Sequence, residues 1–150
     1  MAEFAMFRVF VKTPDKKIVY IAPMKAIAKE RLKDWTKRFA TIGKCVVELT
    51  GDYTPDIAAL MSADILITTP EKWDGISRSW HNRSYVQQSA LIIFDEIHLL
   101  GQDRGPVLEV IVSRMNLVGA KMGGCAPRMV GLSTAMANGS DVGEWFGLKK

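Results

Sequence analysis

Five short runs of apolar, mostly β-branched residues recur along this chain, separated by segments with helical periodicity, and that alternation restricts the fold more than any other feature. The runs cover residues 18–22, 46–49, 65–68, 91–94 and 129–132. They are nearly continuous and do not alternate with polar residues, which marks strands covered on both faces. The spacing predicts helices over about residues 24–40, 55–62, 71–80 and 106–118. Pro106 suits a first helical position, where its missing N–H needs no partner. Val107, Leu108, Ile111, Met115 and Val118 follow at helical intervals. Residues 121–127 read as a glycine-containing loop, and His81 with residues 82–88 as an exposed connection. The predicted fold is α/β, a parallel sheet flanked by helices on both faces. At 150 residues the chain suits one domain with one core.

Charge is concentrated. Between Met24 and Arg38 six basic residues (Lys25, Lys29, Arg31, Lys33, Lys37, Arg38) face only Glu30 and Asp34, which accounts for the whole net charge of +4. Lys25, Lys29, Lys33 and Lys37 recur every fourth position and form one basic stripe on a helix. Met24, Ile27, Ala28, Leu32, Trp35 and Phe39 form its core-facing side. Such a stripe is either a solvated face or a phosphate-binding one. Trp35, Trp73 and Trp80 read as packing residues, not base-stacking platforms. Cys45 and Cys125 have no metal-like spacing, so reduced thiols are expected. No apolar stretch approaches the roughly 18 residues of a membrane span, and no secretory signal precedes the first helix.

In parallel α/β sheets ligands gather beyond the C-terminal ends of the strands. The residues there are Pro23-Met24-Lys25, Thr50-Gly51-Asp52, Thr69-Pro70-Glu71-Lys72, Asp95-Glu96-Ile97-His98 and Ser133-Thr134-Ala135. The fourth set is the most informative. An Asp-Glu pair at a buried strand tip suits nucleotide hydrolysis, with Asp95 holding Mg²⁺ and Glu96 accepting a proton from the attacking water. His98 then lies near the γ-phosphate. Taken alone, the same residues also fit a plain acidic strand cap.

The ordered set of tips resembles the first RecA-like domain of DExH-type superfamily 2 helicases. Ala22-Pro23-Met24-Lys25-Ala26 looks like motif Ia, Thr50-Gly51-Asp52 like the next nucleic-acid-contacting motif and residues 69–74 like motif Ib. Asp95–His98 resembles motif II and Ser133-Thr134-Ala135 motif III. Residues 95–101, followed by Asp103-Arg104-Gly105-Pro106-Val107-Leu108-Glu109, are similar to helicases with two tandem cassettes. Residues 73–80 and the Ser-Thr-Ala order look most like the C-terminal cassette of one such protein. The resemblance covers almost the entire chain.

It implies an ATP- and Mg²⁺-dependent motor. Asp95 and Glu96 would serve nucleotide and metal, and Pro23, Lys25, Thr50, Gly51, Thr69 and Pro70 would line a channel for single-stranded RNA or DNA. Ser133, Thr134 and Ala135 would couple nucleotide state to strand grip. Backbone N–H groups and small hydroxyls suit such sequence-independent phosphate contacts. Alternatives stay open: Ser133 and Thr134 also suit capping of the last helix, and Lys72 a solvated first turn. Arg104 would order the loop after motif II by pairing with Asp103 or Asp95. The implied partners are a second RecA-like domain and a multiprotein complex, with no membrane; the implied location is nuclear or cytoplasmic.

The 150 residues contain no G-x-x-x-x-G-K-[ST] phosphate loop; Gly43-Lys44-Cys45 has the dipeptide without the earlier glycine or the hydroxyl. The chain is therefore expected to be a partial helicase ATP-binding domain over residues 1–150, starting just after that loop. Its sheet should lack the internal strand that leads into it and should expose apolar surface. The competing reading is a non-catalytic short form that binds single strands or a protein partner.

Overall fold

The computed structural model describes residues 1–98, 105–123, 126–134, 136 and 138–147. The strands are β1 (Lys17–Ile21), β2 (Val46–Leu49), β3 (Ile65–Thr68), β4 (Ser89–Phe94) and β5 (Arg128–Gly131). The helices are α1 (Ala2–Lys12), α2 (Lys25–Ala40), α3 (Ile57–Ser62), α4 (Pro70–Ser77), α5 (Ser84–Gln87), α6 (Gly105–Lys121) and α7 (Gly139–Trp145), with a 3₁₀ turn at Trp80–Asn82. The strands form one sheet in the order β2-β3-β1-β4-β5, and each neighbouring pair is parallel.

Alternation along the central strand splits the core into two layers. Ile18, Tyr20 and Ala22 face α1 and α2, where they pack with Met6, Ala28, Trp35 and Phe39. Val19 and Ile21 face the other side, against Trp73 and Ile76 of α4 and Leu108, Ile111 and Met115 of α6. Every residue of β1 and of β3 is buried, as a sheet covered on both faces requires. Lys17 is the unusual member. Its ammonium donates to the carbonyls of Met61 and Ala63, 2.6 Å from each, closing the C-terminal end of α3 as a cation suits. Burial lowers its pKa, partly offset by the Asp64 carboxylate.

Several expectations need correction. Among the described residues the five strands form one continuous sheet whose edges are β2 and β5. Apolar surface is exposed nonetheless, on Phe4, Phe7 and Val11 of α1. Met24, assigned to the core, is half exposed, because α2 starts one residue later and Met24 is its N-cap. The connection after α4 is not merely exposed. Tyr85 and Val86 are buried, and Gln87 ties the turn together by donating to the carbonyls of Trp80 and His81. The expected loop from residue 121 begins only after α6 has run on to Lys121. Cys45 is a free, exposed thiol; Cys125 lies outside the described residues. Among the described residues no helix is long and apolar enough to cross a membrane.

Candidate functional site at the strand tips

Because all strands run the same way, all five polar tips emerge on one edge of the sheet. The strand order sorts them. The tips of β2, β3 and β1 adjoin one another on one half, and those of β4 and β5 on the other.

On the first half, Lys25 opens α2 and reaches the Asp52 carboxylate at 2.6 Å; its ammonium lies 3.7 Å from where a side chain on Gly51 would begin. The Lys25 bond holds the exposed Asp52 carboxyl below its ordinary range. Thr50 is fully buried, its hydroxyl donating to Glu48 Oε1 at 2.8 Å. Pro23, Thr69 and Pro70 are also buried. Thr69 is the N-cap of α4 with no side-chain cap bond, and Pro70 fills the first turn. Of the six residues expected to line a strand channel, Lys25 and Gly51 therefore present themselves at the surface. The other four shape the backbone that carries them. Lys72 donates to Thr54 Oγ1 at 2.7 Å, and Lys29, Lys33 and Lys37 are exposed.

The second half holds the acidic pair. The Asp95 amide bonds to the Ile21 carbonyl at 3.0 Å and the Ile97 amide to the Leu132 carbonyl at 2.9 Å, which fastens the turn between the tips of β1 and β5. Glu96, between them, adopts φ 52°, in the left-handed region. Its Oε2 lies 3.2 Å from His98 Nε2, and His98 Nδ1 lies 3.4 Å from Ser133 Oγ. Glu96, His98 and Ser133 thus form a chain from the tip of β4 to the tip of β5. Ser133 and Thr134 do not cap the last helix, whose N-cap is Asn138. Thr134 is exposed, and Ala135, Asp103 and Arg104 lie outside the described residues.

Two residues join this half that their sequence positions assigned elsewhere. Tyr20, read as plain strand core, donates its hydroxyl to Asp95 Oδ2. Arg31, counted among the six basic residues of the α2 segment, lines the same cavity as Tyr20. Burial, followed by the Asp95 bond, drives the Tyr20 pKa well above the ordinary tyrosine range, against a smaller opposing effect of Arg31. A signal for both was present. A tyrosine in an otherwise apolar strand needs a partner for its hydroxyl, and Arg31 falls on the Ile27–Trp35 face, off the lysine stripe. A cavity of about 370 Å³ opens beside them, lined by Tyr20, Arg31, Trp35, Leu132 and the start of α1.

The donor set suits Mg²⁺ in the way nucleotide enzymes use it. Among the described residues no cluster of three or more metal-ligating side chains exists. Mg²⁺ in such sites keeps waters and phosphate oxygens and needs only one or two carboxylates. Asp95 is the carboxylate at the strand tip, and each of its oxygens retains acceptor capacity beyond the bonds from Tyr20 and the Glu96 amide.

This parallel α/β sheet carries an Asp-Glu-Ile-His turn at the C-terminal edge of its strands, and the DEAD/DEAH box helicase family profile matches residues 1–142. The chain belongs to that family. It is 60% identical to activating signal cointegrator 1 complex subunit 3 of Dictyostelium discoideum over 150 residues and 57% identical to the Homo sapiens protein of that name. It is 53% identical to the RQC trigger complex helicase SLH1 of Saccharomyces cerevisiae. In each case 99% of the chain is matched, but the chain spans only 7%, 7% and 8% of those relatives. Among solved structures, the DUF1998 helicase MrfA superposes with a TM-score of 0.83 at 20% identity, covering 99% of this chain and 24% of that one. A second MrfA structure, bound to DNA and AMPPNP, gives 0.79 at 19% identity, covering 96% and 21%. These likenesses establish the RecA-like fold.

Proposed function

We propose that the chain is the motif-bearing part of an ATP-binding, first RecA-like domain of a helicase. In it, ATP hydrolysis at the β4–β5 half is coupled to movement along single-stranded RNA or DNA at the β1–β3 half. The observation that carries this reading is the chain Glu96–His98–Ser133, which links the hydrolytic pair to the neighbouring strand tip.

Asp95 would hold Mg²⁺, which supplies charge neutralisation on the phosphate oxygens when bound. Glu96 accepts the proton of the attacking water. The His98 imidazole beside it restrains that carboxylate and passes any change in its position to Ser133. Lys25 and the backbone N–H groups at the starts of α2 and α4 supply sequence-independent phosphate contacts. The MrfA structure with DNA and AMPPNP supports ligands of both kinds on this fold. The names of the cointegrator subunit and of the RQC trigger complex helicase support work inside a multiprotein assembly. A second RecA-like domain and a nuclear or cytosolic location complete the proposal.

The test is ATPase turnover, stimulated by single-stranded nucleic acid, in the full-length helicase carrying this segment. Glu96→Gln should lower kcat by about 10²–10⁴-fold while nucleotide binding persists. Wild-type turnover in that variant would remove Glu96 from the chemistry.

A further inference from the structure

Tyr20 makes a contact that packing alone does not require. Its ring is 1% exposed and meets Trp35 edge-on, with centroids 4.8 Å apart and planes at 80°. A phenylalanine would fill that space equally well. The hydroxyl instead reaches from β1 past the end of the neighbouring strand to Asp95 Oδ2, and Arg31 of α2 lines the same cavity as the phenol. Asp95 Oδ1 meanwhile accepts from the Glu96 amide at 3.1 Å. Both carboxylate oxygens are thus fixed, one by the turn itself and one by Tyr20.

We propose that Tyr20, backed by Arg31, is a positioning residue that holds the Asp95 carboxylate in the orientation needed to receive the Mg²⁺–nucleotide. This rests on the reading of Asp95 and Glu96 given above. A carboxylate at a strand tip can rotate, and each orientation not competent for metal lowers the apparent affinity. Groups hydrogen-bonded behind a metal-binding side chain typically govern 10–100-fold in affinity or activity. The arrangement also explains why an arginine lies on the core-facing side of an otherwise lysine-striped helix. The phenol keeps its proton and donates it in the hydrogen bond to Asp95 Oδ2.

The experiment uses the full-length helicase with Tyr20→Phe, which keeps the ring and deletes only the hydroxyl. Two readouts are taken: the Mg²⁺ concentration at half-maximal ATPase, and Mn²⁺–AMPPNP binding by electron paramagnetic resonance, which needs no turnover. The expected result is a 10–100-fold rise in the metal concentration required in both, with metal-free nucleotide binding unchanged. If Tyr20→Phe does not fold, Arg31→Met serves, with a shift in the same direction and of smaller size. Unchanged metal dependence in the folded variant, alongside a dead Glu96→Gln, overturns the role of Tyr20 and leaves the hydrolytic pair standing. A fully active Glu96→Gln overturns the underlying reading, and with it this one.

Discussion

Glu96 is the one described non-glycine residue at positive φ, at 52°. A glutamate there costs on the order of 1 kcal/mol over an extended or helical backbone, whereas asparagine tolerates the region. The turn is imposed from outside, by amide bonds from Asp95 to β1 and from Ile97 to the end of β5. The strain is the cost of pointing the Glu96 side chain at His98. Two variants that both lose the carboxylate reach should therefore differ in stability, with Glu96→Asn about 0.5–1 kcal/mol above Glu96→Ala in urea denaturation. Equal midpoints would mean that the turn relaxes when the side chain is cut back. At this scale the sequence told much about Asp95, Glu96, His98 and Ser133, because a polar cluster after a buried run has few other uses. It told little about Tyr20 and Arg31, whose roles depend on which strand lies beside which. The burial of Thr50 and Thr69 was not legible for a related reason: a tip residue can be polar and still be buried.

Between elements, the firmest tie is Asp74 of α4. Its carboxylate accepts from Arg114 of α6 at 2.7 Å and from Arg78 at 2.6 Å, and the same Arg114 nitrogen donates to Ser77 Oγ at 2.9 Å. The helix that opens with Thr69-Pro70 is thereby fastened to the helix that follows the acidic turn. Burial works against the charged form of Asp74, but the two arginines outweigh it and hold its pKa below the ordinary 3.8. Its contribution is therefore complete above about 3.8 and lost as pH falls through the lower folded value. Asp74→Asn should cost about 2–3 kcal/mol near neutral pH, since Arg114 is left largely buried without a countercharge. The gap to wild type should narrow in urea melts below pH 3.8. A pH-independent gap would assign the loss to packing. Gly119 marks a second close approach, where a Cβ would fall 2.2 Å from the Ala126 Cα. Sequence periodicity located α2, α4 and α6, with β2 and β3 at their observed limits. It missed α5, because four residues are too few to show a helical period. It stopped α6 three residues early, at residue 118, whereas Gly119 lies within the helix and allows its close contact with the chain before β5.

For the whole molecule, the division of the working edge into a basic and an acidic half follows from strand order alone. The 150 residues contain no phosphate loop. This chain by itself should therefore hydrolyse ATP no faster than buffer, whatever the geometry at Asp95. A steady-state rate that disappears in Glu96→Gln would refute that expectation. The same strand order sets a schedule for synthesis. β1 is the central strand, yet it is made before the other four described strands, and its neighbours β3 and β4 begin at Ile65 and Ser89. At roughly 5–20 residues per second, Lys17 precedes Ser89 by about 4–14 s. Until β3 follows, about 2–10 s after Lys17 at that rate, the Ile-Val-Tyr-Ile segment has neither of its neighbouring strands beside it. A nascent chain of this design depends on shelter at the ribosome exit more than one whose middle strand is translated last.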